Sequence, residues 1–204
     1  MRTPWIVGVS GASGTPYAAA VLRALITAGE PVDLVVSRAA RLTILDETSL
    51  SFRDAHWEQD LTSWIGLAPN DIRYWPAGDL AAGPSSGSYP ARGMIVVPAS
   101  TAACAGIALG LSKDLLQRAA EVNLKERRPV VVVPRETPVT RSHLLHLVEL
   151  IDSGAVVLPA SPGFYGIGAA ASSQQLIDFV AGKILDTVGV KHDLLTRWTG
   201  QLST

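Results

Sequence analysis

Gly8-Val9-Ser10-Gly11-Ala12-Ser13-Gly14 is the stretch that decides how the rest of the chain is read. The apolar run Trp5-Ile6-Val7 enters it, and a helical pattern from Pro16 to Ala28 leaves it. Strand, glycine-rich turn and helix in that order make a mononucleotide-binding half. Glycine adopts positive φ and lets a backbone approach a ligand closely. The helix start offers N–H groups and the positive end of a dipole to a phosphate. Pro16 suits a first helical turn, where no N–H partner is needed. Ser10, Ser13 and Thr15 add hydroxyls. The glycines run G-x-x-G-x-x-G, not the G-x-G-x-x-G of dinucleotide sites. The second predicted strand, Val32-Asp33-Leu34-Val35-Val36, ends in Ser37-Arg38, with no acid to hold a ribose hydroxyl. The turn therefore reads either as a phosphate site without a ribose reader or as a tight turn that binds nothing.

The 204 residues predict one domain, 1–204, with an appended tail at about 190–204. Seventeen Lys and Arg against 18 Asp and Glu leave a net charge of −1, which points to neither nucleic acid nor an anionic membrane. Only 17% of residues are charged, and mean hydropathy is positive. A surface so poor in charge predicts partial burial in an oligomer. One cysteine, Cys104, excludes an internal disulfide and a Cys-rich metal site and fits a reducing cytoplasm. No apolar run reaches the ~18 residues of a membrane span, and the chain enters its first strand with no leader pattern.

Further on, apolar runs alternate with helical patterns. Strands are predicted at 72–75, 93–98, 129–133 and 155–158. Helices are predicted at 39–47, 58–65, 101–111, 113–127, 143–153, 174–188 and Leu194–Trp198. Gly93-Met94-Ile95-Val96-Val97-Pro98 is apolar on both faces, as a central parallel strand is. The class is α/β with a parallel sheet. The Gly/Pro/Ser-rich stretch Asp79–Ala91 is too long for a plain connection and reads as functional or disordered. Ligands of such sheets lie beyond the carboxyl ends of the strands. Those ends are Ser10–Gly14, Ser37-Arg38, Pro98-Ala99-Ser100-Thr101, Pro134-Arg135-Glu136-Thr137 and Pro159-Ala160-Ser161, each polar or small after an apolar run. His143 and His146 share a helix without a partner at ligand spacing and read as packing or solvent-facing. Cys104 reads as a small buried residue.

Across nearly its whole length the sequence resembles the UbiX family of flavin prenyltransferases. The resemblance rests on Gly11-Ala12-Ser13-Gly14, Ser37-Arg38-Ala39-Ala40, Asp46-Glu47-Thr48, Ser85-Ser86-Gly87-Ser88, Arg118-Ala119-Ala120-Glu121-Val122, Leu124-Lys125-Glu126-Arg127-Arg128-Pro129, Pro134-Arg135-Glu136-Thr137-Pro138, Pro162-Gly163-Phe164-Tyr165 and Arg197-Trp198. It implies a Rossmann-like three-layer fold and a homo-oligomer, commonly a dodecamer. It also implies a metal-free transfer of a dimethylallyl group from dimethylallyl phosphate to N5 and then C6 of reduced FMN. The product is prenylated FMN, the cofactor of UbiD-type decarboxylases.

By the same resemblance, Gly11, Ala12, Ser13, Ser37, Ser100, Thr101 and Arg135 hold the cofactor. Ser86, Gly87, Lys125, Arg135, Glu136, Tyr165 and Lys183 hold the prenyl phosphate, and Ser13, Glu47, Glu136 and Trp198 serve the chemistry. These residue types suit it. Without a metal, the leaving phosphate is met by a guanidinium fork, an ammonium and a phenol. Carboxylates move protons, and an aromatic face steadies an allyl cation. Plainer readings stand beside these: Lys125, Arg127 and Arg128 as a solvated helix end, Arg135-Glu136 as a surface pair, Trp198 as packing. Three positions depart from the family pattern. Ala99 stands where Cys is common, Lys183 stands where the family has Arg, and Gly166–Ala171 replaces a His-x-Pro-x-(Ser/Thr) segment. Two rival functions remain at this point: a flavin carrier without turnover, and a flavin-dependent cysteine-type decarboxylase. The second uses a late-loop Cys, whereas this chain has none after Cys104.

Overall fold

A computed structural model describes residues 2–164, 171–195, 197 and 200. Its strands are β1 (Trp5–Val9), β2 (Val32–Val36), β3 (Ile72–Pro76), β4 (Gly93–Ala99), β5 (Val130–Pro134) and β6 (Val156–Val157). Its α-helices are α1 (Thr15–Thr27), α2 (Arg38–Thr48), α3 (Trp57–Ile65), α4 (Thr101–Ala108), α5 (Leu115–Lys125), α6 (Arg141–Asp152) and α7 (Ser173–Thr187). The strands form one sheet in the order β3-β2-β1-β4-β5-β6, parallel at every pairing. This is the doubly wound order, with its switch point between β1 and β4.

Strand alternation builds the three layers. Trp5, Val7, Val9, Leu34, Ile95 and Val133 pack with α1, α2, α3 and α7 on one face. Ile6, Val35, Met94, Val96 and Val132 pack with α4, α5 and α6 on the other. Leu22, Leu25, Leu34 and Leu61 are fully enclosed, and each such burial contributes about 1.5–3 kcal/mol. All seven residues of β4 are buried, as its two-sided apolar pattern predicts. β6 is shorter than predicted because it is the edge strand, with Val156 exposed.

The long Asp79–Ala91 segment is ordered. Buried Asp33 of β2 accepts from Tyr89 Oη at 2.7 Å and from Trp75 Nε1 at 2.9 Å. Arg118 Nε donates to Ser85 O and Arg128 to Gly87 O. The helical tail expected at about 190–204, with Leu194–Trp198 as its helix, lies in large part outside the described residues; those described there, 190–195, 197 and 200, are not in a helix. Gly189, with φ 69°, ends α7 and turns the chain back on it. His192 Nε2 and the Arg197 guanidinium then both meet Asp186. Among the described residues no helix is long and apolar enough to cross a membrane.

Candidate active site

The β1–α1 turn lies at the switch point, and Ser10 fastens it there. Ser10 Oγ donates to Pro98 O at 2.8 Å and accepts from Ser100 N at 2.7 Å, tying the end of β1 to the end of β4. Two of the turn's glycines are demanded by geometry. A Cβ on Gly11 would meet Ala39 Cβ at 2.4 Å, so its absence lets the turn close on the start of α2. Gly14 has φ 112°, the left-handed conformation that opens α1.

The start of α1 is not free for a phosphate, contrary to the sequence expectation. Glu47, on α2, occupies it. Its Oε1 accepts from Gly14 N at 2.8 Å, and its Oε2 accepts from Thr15 N at 2.8 Å and Thr15 Oγ1 at 2.6 Å. Tyr17 N bonds Gly14 O, and Pro16 has no N–H. Burial pushes the Glu47 pKa up. Hydrogen bonds from the Ser13 and Thr15 hydroxyls and from the Gly14 and Thr15 backbone outweigh it and leave the carboxyl below its ordinary value. Ser13 and Glu47 are thus brought together, with Glu47 ionised.

The anion-binding capacity lies instead at two neighbouring helix starts. Ser37 Oγ accepts from Ala40 N and caps α2, and Ser100 Oγ accepts from Ala103 N and caps α4. These caps leave the N–H groups of the first two residues of each helix without an intrahelical partner. Both starts open on a cavity of about 180 Å³ whose walls include Ser10, Gly11, Ser37, Ala39, Ser100 and Ala102. On the other side of the turn lies a cavity of about 390 Å³, lined by Ser13, Glu47, Pro162, Leu176 and Ile177 among others. Arg135 follows β5, with its N–H on Ala99 O, and its Nε is buried with no partner among the described residues. An orphaned buried donor of that kind, tied through Ala99 to the strand end that leads into α4, fits an anionic group such as a phosphate.

Other expected site residues lie elsewhere. Glu136 is exposed, accepts from Thr137 N and forms no ion pair with Arg135. With Thr101 it lines a small, mainly apolar cavity that also contains Cys104, His143 and His146. His143 Nδ1 accepts from Thr140 N in the capping box of α6. Burial pushes the Cys104 thiol up to about 12, so it is no nucleophile at neutral pH.

Lys125, Ser86 and Gly87 meet at the opposite edge of the sheet. Lys125 pairs with Glu126, and a Cβ on Gly87 would meet Lys125 Nζ at 2.7 Å. Helix α5 carries the chain about 12 Å from the cavity at Gln117 down to Lys125. Arg135, by contrast, follows β5 at the carboxyl ends of the strands. Lys183 is exposed on α7, roughly 9 Å further along that helix than Ile177. Tyr165 and Trp198 lie outside the described residues. Sequence reasoning missed the Glu47 cap and the place of Tyr17 beside it; Tyr17's position three residues after Gly14 was the available signal.

Comparison with known proteins gives a consistent result. The Flavoprotein family model matches residues 1–185. The flavin prenyltransferase UbiX of Streptomyces coelicolor is 64% identical, over 98% of this chain and 96% of its own length. Among solved structures, AnUbiX (PadA1) in complex with FMN and dimethylallyl pyrophosphate superposes with a TM-score of 0.86 at 36% identity, covering 98% of this chain and all of that one. A dodecameric FMN-dependent UbiX-like decarboxylase from Escherichia coli O157:H7 superposes at 0.84 with 35% identity, covering 97% of this chain and 100% of that one.

Proposed function

The chain belongs to the flavoprotein family, on its UbiX flavin prenyltransferase branch, and we propose how its own residues carry out that branch's reaction. The enzyme transfers a dimethylallyl group from dimethylallyl phosphate to N5 and C6 of reduced FMN. The observation that carries the placement is the turn at 11–14, which separates a cavity walled by two open helix starts from one containing Ser13 and Glu47. The first cavity, with Gly11, Ser37 and Ser100 at its rim, takes the FMN phosphate end, and Ala12 follows Gly11 in the turn.

Reduced FMN, when bound, supplies the nucleophilic positions that take up the dimethylallyl group as phosphate departs. Ser13 stands at the Glu47 carboxylate and passes to it the proton that must leave N5. Arg135 directs its buried, unpartnered N–H at the anion. Lys125, Ser86 and Gly87 stand at the end of α5 that leads away from this edge, and in this reading a second copy supplies them. An exposed apolar strip on α6, Leu144, Leu145, Val148 and Ile151, is the kind of surface such an assembly covers. The dodecamer of the Escherichia coli neighbour is the arrangement we propose for this chain. Glu136, Thr101, Tyr165, Lys183 and Trp198 keep the roles that the family pattern gives them. Prenylated FMN then passes to a UbiD-type decarboxylase, in the cytoplasm.

The test is anaerobic incubation with FMN, dithionite and dimethylallyl phosphate, followed by mass spectrometry of the extracted flavin. A prenyl adduct that grows with turnover is expected. Flavin binding with no adduct from either the monophosphate or the diphosphate would leave a carrier and overturn the reading.

A further inference from the structure

Tyr17 has no part in the reading above, yet it stands in the cavity that holds Ser13 and Glu47. It lies in the first turn of α1, three residues after Gly14. Its ring is seated on that glycine: a Cβ there would meet two ring carbons at 2.8 and 3.0 Å. Gly14 therefore serves two demands at once, the left-handed opening of α1 and room for an aromatic ring against the turn. With Pro162, Leu176 and Ile177 the ring makes one side of the cavity apolar, while Ser13 and Glu47 make the other polar.

The phenol faces a divided field. Arg135 and Glu47, of opposite sign, are the two charged groups that act on it. Burial raises its pKa, so it stays neutral and keeps its proton. Its oxygen has no hydrogen-bond partner among the described residues. A cationic side chain here would pair with Glu47 and neutralise it, and a carboxylate would repel it. A neutral phenol does neither and still has an O–H to give. An O–H donated to an anion is a strong, short bond.

We propose that Tyr17 is a further substrate-contacting residue: its ring is the wall along which the dimethylallyl chain lies, and its O–H donates to the anionic end that Arg135 meets. This rests on the prenyltransferase reading, and the test separates the two. Protein loaded with oxidised FMN, which cannot turn over, is titrated calorimetrically with dimethylallyl phosphate and, separately, with inorganic phosphate. Tyr17→Phe removes only the hydroxyl and should weaken both ligands by about 10- to 100-fold while leaving FMN affinity unchanged. Tyr17→Leu also removes the ring, and should weaken dimethylallyl phosphate further but inorganic phosphate no more than Tyr17→Phe does. Equal affinities in wild type and Tyr17→Phe would overturn the Tyr17 role alone. A wild type that takes up FMN but neither binds nor transfers the prenyl group would overturn the function reading, and the Tyr17 role with it. Should Tyr17→Leu fail to fold, Tyr17→Phe, which conserves the packing, still decides the question.

Discussion

Glu47 and Thr15, on different helices, share one carboxylate oxygen: Glu47 Oε2 accepts from both the N–H and the hydroxyl of Thr15. With Gly14 N on the other oxygen, a side chain of α2 completes the first turn of α1. A negative charge at a helix N-terminus is stabilised by the dipole as well as by the bonds. The same carboxylate is a cap and, in the function proposed above, the group that takes up a proton, and removing it tests both.

Glu47→Ala is expected to lower stability by about 0.5–2 kcal/mol at pH 7, the usual loss for a cap; urea denaturation measures it. The bonded carboxyl titrates below its unfolded value of about 4.3. Its contribution is therefore present above that pH and is lost as pH falls through the folded pKa. Wild type and Glu47→Gln should converge in stability on acidification, and a gap that widens instead would contradict the cap. Adduct formation in Glu47→Gln should slow by about 10²–10⁴-fold at neutral pH.

Lys125→Ala and Arg135→Ala should each be nearly inactive, yet regain activity when the two are unfolded together and reassembled. In mixed oligomers about a quarter of the sites receive an intact Lys125 from one copy and an intact Arg135 from the other. No recovery on mixing, with assembly confirmed by light scattering, would argue that one chain supplies both groups.

Arg135→Ala should weaken dimethylallyl phosphate binding by about 2–5 kcal/mol, since it removes a buried donor facing an anion. Lys183→Ala should cost less, because Lys183 is an exposed point charge rather than a fork. Isothermal titration with each variant orders the two, and a larger loss at Lys183 would reverse their roles.

Tyr89→Phe should loosen the 79–91 segment by leaving the buried Asp33 carboxylate short of a donor. The expected loss is about 1–3 kcal/mol. Limited proteolysis would show it as faster cleavage within 79–91, and unchanged cleavage would mean that Trp75 Nε1 and Arg118 suffice.

Asp186→Asn should free the C-terminal segment without unfolding the domain. The Arg197 hydrogen bond, with those from His192, holds the Asp186 carboxyl below its ordinary range. The clasp is thus present above the unfolded value of about 3.9 and is lost as pH falls through the lower folded one. Arg197 is exposed, so the effect on global stability should be small. Trypsin cleavage at Lys191 or Arg197 should accelerate, and an unchanged rate would refute the clasp.

Much of the fold was legible because burial writes itself into local pattern. Gly93–Pro98 and Val130–Val133 are apolar at every position, which only strands covered on both faces require. The strand–turn–helix at 5–28 and the polar residues after each apolar run marked the binding edge before any coordinates. Ser37 and Ser100 do stand at the ends of β2 and β4, where each also caps the helix that follows, a role the pattern did not announce.

The sequence by itself thus determined the α/β class, the parallel sheet and which residues stand at the carboxyl ends of its strands. Tertiary structure alone decided which groups meet there. Glu47 is over 30 residues from the turn it closes, and nothing in local pattern says that its carboxylate, not a ligand, takes the α1 N–H groups. Arg135 and Lys125 are close in sequence but lie toward opposite edges of the sheet, because α5 runs antiparallel to the strands it covers. His192 and Arg197 meet Asp186, a contact that local pattern does not announce. For Glu47 the deciding energy is a set of hydrogen bonds between distant segments, and such a set leaves no periodic trace in the chain that forms it.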